Sequence, residues 1–138
     1  MANNYAQFSE EMDIPADKVE AVDAFFDQYD KDIDDGQFDF FGGVETEWDK
    51  GLPNGKHAIW IHADENYMEE ELFYVVKGLL KAIDSPEATP FIVNVAYTCS
   101  KPRIGEFSGG CYAIWRDKEY YVDPFSAVMD YIKFHSDE

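Results

Sequence analysis

The chain is short of positive charge. Eleven Lys and Arg face twenty-nine Asp and Glu over 138 residues, giving a formal net charge of −18. Such a molecule repels phosphate backbones and anionic membrane surfaces. Direct nucleic-acid binding is therefore not expected, and a basic partner is; proteins that hold nucleic acid are the largest class with strongly basic grooves. Cysteine is scarce as well. Cys99 and Cys111 are too few for a disulfide framework, so a reduced, cytoplasmic setting is the default. No apolar run approaches the roughly 20 residues that span a bilayer. Met1-Ala2-Asn3-Asn4-Tyr5 has neither a basic n-region nor an apolar h-region, so no signal peptide is expected. Repeats, low-complexity tracts and domain linkers are absent from the sequence. Adaptation to high salt explains the acidity poorly, because nine of the eleven basic residues are Lys.

What is present is apolar. Hydrophobic residues make up 46% and aromatics 17%, enough for a packed core despite the charge. A chain of this length fits one domain and hides about two thirds of its unfolded surface without a metal or disulfide staple.

Residues 1–13 read as a polar lead-in and 14–138 as a single domain. Pro15 suits a first helical position. Val19, Val22, Phe26, Tyr29 and Ile33 then recur at helical spacing, with Gly36 as the stop. Phe38, Phe40, Phe41, Val44, Thr46 and Trp48 favour extended structure. His57-Ala58-Ile59-Trp60-Ile61-His62 reads as a strand covered on both faces. Asn66 and Glu69 resemble a capping box ahead of the stripe Met68, Leu72, Val75, Val76, Leu79, Leu80 and Ile83. Phe91–Cys99 reads as a strand, and Cys111–Val122 as one strand or two short ones. Asp123-Pro124 opens a last helix with Phe125, Val128, Met129 and Ile132 as its buried side. The expected fold is α+β, in the order αββαββα: helices on one face of a mainly antiparallel sheet of about four strands.

The first helix carries the leading functional feature. Asp13, Asp17, Glu20, Asp23, Asp27, Asp30 and Asp34 are spaced at 4, 3, 3, 4, 3 and 4. On a helix these spacings line carboxylates in a row, with neighbours about 5–6 Å apart. That interval is within a factor of about two of the phosphate spacing along one nucleic-acid strand. The row suits a basic groove built for DNA or RNA; it is also what the solvated face of a very acidic helix looks like. Glu69-Glu70-Glu71 has a simpler reason, since a helix N-terminus welcomes negative charge.

A second candidate surface is the loop around Lys101, Arg103, Glu106 and Phe107. It is basic and Gly-rich, so it could grip an anion or a carboxylate, although it lacks the Gly-Lys-Ser/Thr ending of a phosphate loop. Tyr97-Thr-Cys-Ser-Lys-Pro-Arg-Ile-Gly-Glu-Phe-Ser-Gly-Gly110 resembles a strand–loop–strand motif of small proteins from phages, plasmids and bacterial chromosomes. Ile59-Trp60-Ile61-His62-Ala63-Asp64-Glu65 resembles their strand entering the preceding helix. The resemblance covers roughly residues 56–116 and brings no activity with it. It implies a mobile-element context, and with it a protein that blocks a host nuclease, restriction enzyme or CRISPR effector.

Chemistry is less well marked. His57, His62, Cys99 and Cys111 lack the close ligand pairs of a zinc site. The separation of five between the two histidines points them to opposite faces of a strand. A Cys99 nucleophile with His62 or His57 has only Lys101 and Arg103 nearby to lower its pKa. None of the acids stands in an apolar context suited to general acid–base work. No cofactor and no metal is expected. The expectation is a non-enzymatic, cytoplasmic acidic interaction protein, a mimic of DNA for a basic nucleic-acid-handling partner, or failing that a binding module built on the Lys101–Gly110 loop. Trp48, Trp60, Trp115, Tyr120 and Tyr121 would serve a homodimer if exposed and the core if not.

Overall fold

The computed structural model describes residues 4–34, 36, 43–51, 55–101 and 107–135. The polar lead-in expected over residues 1–13 is not what residues 4–14 form. They are β1 (Asn4–Ile14), an interior strand. Phe8, Met12 and Ile14 are at most 5% exposed. Their alternation is broken at Glu10, the inward position between Phe8 and Met12, and that break hides the strand in the sequence.

After a single 3-10 turn over Ala16–Lys18 comes α1 (Val19–Asp34). Its apolar stripe buries Val22 and Tyr29. It stops as expected, with Gly36 at φ +70°, a conformation that side chains resist. Next are β2 (Glu45–Asp49), β3 (His57–Ala63) and α2 (Glu69–Ile83). Residues 37–42, expected as extended chain, and residues 52–54, where Gly51-Leu52-Pro53-Asn54-Gly55 reads as turn chemistry, lie outside the described residues. No capping box forms at α2. Met68 takes the N-cap position without a side-chain bond, and the Asn66 amide donates instead to the Asn4 carbonyl at 3.3 Å, tying down β1. The stretch Cys111–Val122 resolves into part of β5 (Ser108–Ile114) and β6 (Glu119–Val122). They follow β4 (Phe91–Cys99). Last is α3 (Pro124–Phe134).

The fold is α+β, with a six-stranded sheet in the order β2-β3-β1-β4-β5-β6 rather than four strands. Every pairing is antiparallel. Two differences account for the larger number: β1 was hidden, and the last expected strand is two. α2 lies on one face. Leu72, Val75, Val76, Leu79, Leu80 and Ile83 are fully buried with Ile59, Ile61, Val93 and Ile114, and α1 packs on α2.

β1 joins two halves of the sheet. Residues Phe8–Ile14 pair with β3, and Asn4–Gln7 pair with β4. Beyond Gln7 the β1–β4 ladder stops. There the Glu10 carboxylate accepts the Asn94 backbone N–H at 3.0 Å, so a donor freed by the parting strands is satisfied. On the other side, Ala6 N–H donates to the Glu65 carbonyl at 2.7 Å.

A second acid is placed by the core. Glu71 is 1% exposed and accepts the Val44 N–H at 2.8 Å. Burial, reinforced by Glu71, raises the pKa of the Tyr29 phenol. The β4–β5–β6 half carries a tyrosine set on the helix face. Tyr112 donates to Glu69 at 2.7 Å, and the Tyr121 ring lies so close to Gly110 that a Cβ there would overlap it.

Burying Phe8, Met12 and Ile14 at about 1.5–3 kcal/mol each contributes on the order of the whole net stability of a domain. A chain lacking residues 1–14 is therefore expected to lose its cooperative urea transition. An unchanged transition midpoint would mean that β1 is dispensable.

Candidate functional site

Alternation along three paired strands builds the site. On the sheet face turned away from α1 and α2, the register forms a grid of three rows. Glu45, His62 and Ser9 share one row; Glu47, Trp60 and Glu11 the next; Asp49, Ala58 and Asp13 the third. Carboxylates occupy both outer columns, and Trp60 stands between Glu47 and Glu11. Successive rows are about 6.8 Å apart, and the outer columns about 9.6 Å apart, from strand rise and strand spacing. β1, β2 and β3 contain no Lys or Arg. The middle of this face is a shallow concavity of about 820 Å³ whose lining includes Ser9, Glu11, Glu47, Asp49, Ala58 and Trp60, with Glu10 and Trp48 also reaching it. Trp60 is 42% exposed. Its indole N–H donates to Ser9 Oγ at 2.8 Å, and its ring stacks on His62 with centroids 3.9 Å apart. An exposed, oriented indole among carboxylates is suited to a guanidinium or ammonium group.

His62 is buried at 6% exposure. Its Nδ1 lies 3.5 Å from Glu45 and 3.3 Å from Asp64. One ligand atom from each of these three residues falls within 4.8 Å of the others, the donor set that a divalent cation would use. The four residues first weighed for zinc are not brought together. His57 sits on the opposite face from His62 by strand alternation. Cys99 pairs across β1 with Asn4, and His62 with Ser9, a separation of five residue steps or about 17 Å. Cys99 is buried, and its sulfur accepts the Lys101 N–H at 3.5 Å.

The acidic row of the first helix is carried by three elements. Asp13 belongs to β1, Asp17 to the 3-10 turn, and Glu20, Asp23, Asp27, Asp30 and Asp34 to α1. Asp17, Glu20, Asp27, Asp30 and Asp34 are exposed. Asp23, in the centre, is engaged by the protein itself: Trp48 of β2 donates its indole N–H at 2.8 Å, and the Lys50 ammonium lies 3.1 Å away. These contacts set the row against the β2 edge. The acids of α1 and those of the open sheet face thus adjoin across β2.

The alternative loop is placed only in part. Lys101 is exposed and Phe107 is 53% exposed; Arg103 and Glu106 lie outside the described residues. The open-face acids Glu11, Glu45, Glu47 and Asp49 were not singled out in the sequence. The signal that marks them is the period of two in Glu45-Thr46-Glu47-Trp48-Asp49, which puts three acids on one strand face.

Comparison with known proteins gives no match to a family model, a curated protein or a solved structure.

The Trp48 indole first, and Lys50 after it, hold the Asp23 carboxyl below the usual carboxylate range. A depressed folded pKa contributes stability above the ordinary Asp value of about 3.9, and that contribution is lost as pH falls through the folded value. Trp48→Phe is expected to return the Asp23 titration toward the ordinary value, read by carboxyl NMR. An unchanged titration would show that the indole does not set it.

Proposed function

We propose that this protein is a non-enzymatic acidic binding protein that occupies a basic groove made for nucleic acid on a partner protein. The observation that carries this reading is the grid on the open face: two columns of carboxylates flanking Trp60, on strands without a single Lys or Arg. One nucleic-acid strand carries a charge every 3.4 Å of helix axis. The rows, at about 6.8 Å, follow that repeat within a factor of about two. The exposed acids of α1 extend the field around the β2 edge.

The physics favours a cationic partner. The columns are separated by about one Debye length at cellular salt, so their mutual repulsion is modest. Lys and Arg side chains entering between them would gain from several carboxylates at once and from the indole face. Steering by the −18 net charge would raise the association rate by a decade or more at low salt. Nucleases, restriction enzymes and CRISPR effectors have such grooves, and the mobile-element resemblance of residues 56–116 favours a partner of that kind, in the host cytoplasm. Among the described residues, no helix is long and apolar enough to cross a membrane.

The test uses an arginine-rich peptide as the probe, with the change in tryptophan fluorescence that a Trp60→Phe variant loses as the readout. Binding is expected to weaken as salt rises and to be competed by duplex DNA, which captures the same peptide. Changing Glu11→Gln, Glu47→Gln and Asp49→Asn together is expected to weaken binding about tenfold, at a few tenths of a kcal/mol or more per lost ion pair. Unchanged affinity in that variant, alongside loss of binding in Lys101→Ala with Phe107→Ala, would move the site to the Lys101–Gly110 loop.

A further inference from the structure

Among the described residues, the last helix touches β5 but leaves its apolar side chains uncovered. α3 begins where expected, with the Asp123 carboxylate accepting the Ser126 N–H at 2.8 Å and Pro124 in the first turn. The expected buried side is not buried, however. Phe125, Val128, Met129 and Ile132 are 72%, 56%, 47% and 52% exposed, and Tyr131 and Phe134 are 62% and 83% exposed. No residue of α3 is buried. An isolated helix of 11 residues is marginal in water, since helices shorter than about 12–15 residues depend on packing. At 100° per residue its apolar side chains spread over roughly 200°, twice the stripe that a surface helix needs to cover one core. Beside it, β6 is the edge strand of the sheet. All four of its residues are exposed, Tyr120 at 62%.

We infer that β6 and α3 form the contact surface for a second copy of this chain. Three observations select that occupant. The first is area: Tyr120, Phe125, Tyr131 and Phe134, at roughly 150–250 Å² each and 62%, 72%, 62% and 83% exposed, leave on the order of 550 Å² open, and the half-exposed Val128, Met129 and Ile132 bring the patch toward the roughly 800 Å² that one partner contributes to an interface of standard size. The second is charge. Two copies at −18 repel wherever their carboxylates meet, but α3 itself carries only Asp130 and Lys133, one of each sign, and Glu119 of β6 is already paired with Lys77. A basic partner would find no complement here, whereas a second copy would find a near-neutral apolar surface like its own. The third is symmetry: an antiparallel edge strand can pair with its own copy about a twofold axis, which makes the contact self-complementary. This inference does not depend on the function proposed above.

Sedimentation velocity on the full chain at micromolar concentration tests it. The expected species has twice the mass of one chain. The combined change Phe125→Ser, Ile132→Ser and Phe134→Ser is expected to raise the dissociation constant at least tenfold and yield single chains. Because these side chains are exposed in the monomer, the urea transition of the single chain should survive. Val128→Lys, a milder change on the same surface, should weaken the dimer in the same direction if the triple variant does not fold. A wild-type protein that sediments as one chain at high micromolar concentration would overturn the inference, as would a dimer that neither set of changes weakens.

Discussion

The hydrogen bonds that β1 makes on its two sides hold the rest of the molecule in place. Its C-terminal half belongs to β3 and its N-terminal half to β4, so among the described residues the strand ladder of one half of the sheet continues into the other only through β1. The point of parting leaves the Asn94 backbone donor without a ladder partner on β1. Glu10 meets that need at Asn94. The same strand supplies one column of the acidic grid, Glu11 and Asp13, directly across from Trp60 and Ala58. Display of the acids is therefore bound to the core that fixes β1, through Phe8, Met12 and Ile14.

Placement of charge follows from the same sheet. Three carboxylates each accept a bond from another element: Glu10 from Asn94, Glu69 from Tyr112, Glu71 from Val44. Others stand together on the open face of β1, β2 and β3 and along α1, where Lys50 engages Asp23. β2 and β6 are opposite edges of the sheet. A pair of chains joined through β6 and α3 would turn both acidic edges outward, and two linked sites gain apparent affinity over one when a partner offers two grooves within reach.

Much of the fold was legible in the sequence, and the exceptions have physical causes. α1, β3, α2, β4 and the start of α3 followed from apolar period, Gly36 and the Asp123-Pro124 pair, because one face of each element packs on the core or a cap fixes its end. β1 was not legible, because Glu10 interrupts its inward alternation to satisfy a long-range donor. The capping box at Asn66 failed for a similar reason: its side chain is used 62 residues away, on Asn4. The α3 apolar residues were legible as apolar, yet not as exposed, since periodicity reports an apolar face and not what covers it. Of the candidate site, the α1 row was visible. The open-face grid was not, because its columns come from β1 and β2 and adjoin only through the register on β3.

Binding depends on the open face of β1, β2 and β3 meeting cationic side chains. Backbone NMR of the full chain, titrated with an arginine-rich peptide, measures this residue by residue. Amide shifts are expected to concentrate at Ser9, Glu11, Glu47, Asp49 and Trp60, with a second group at Glu20, Asp27 and Asp30 of α1. Shifts confined to Lys101 and Phe107, or to α3, would contradict that dependence.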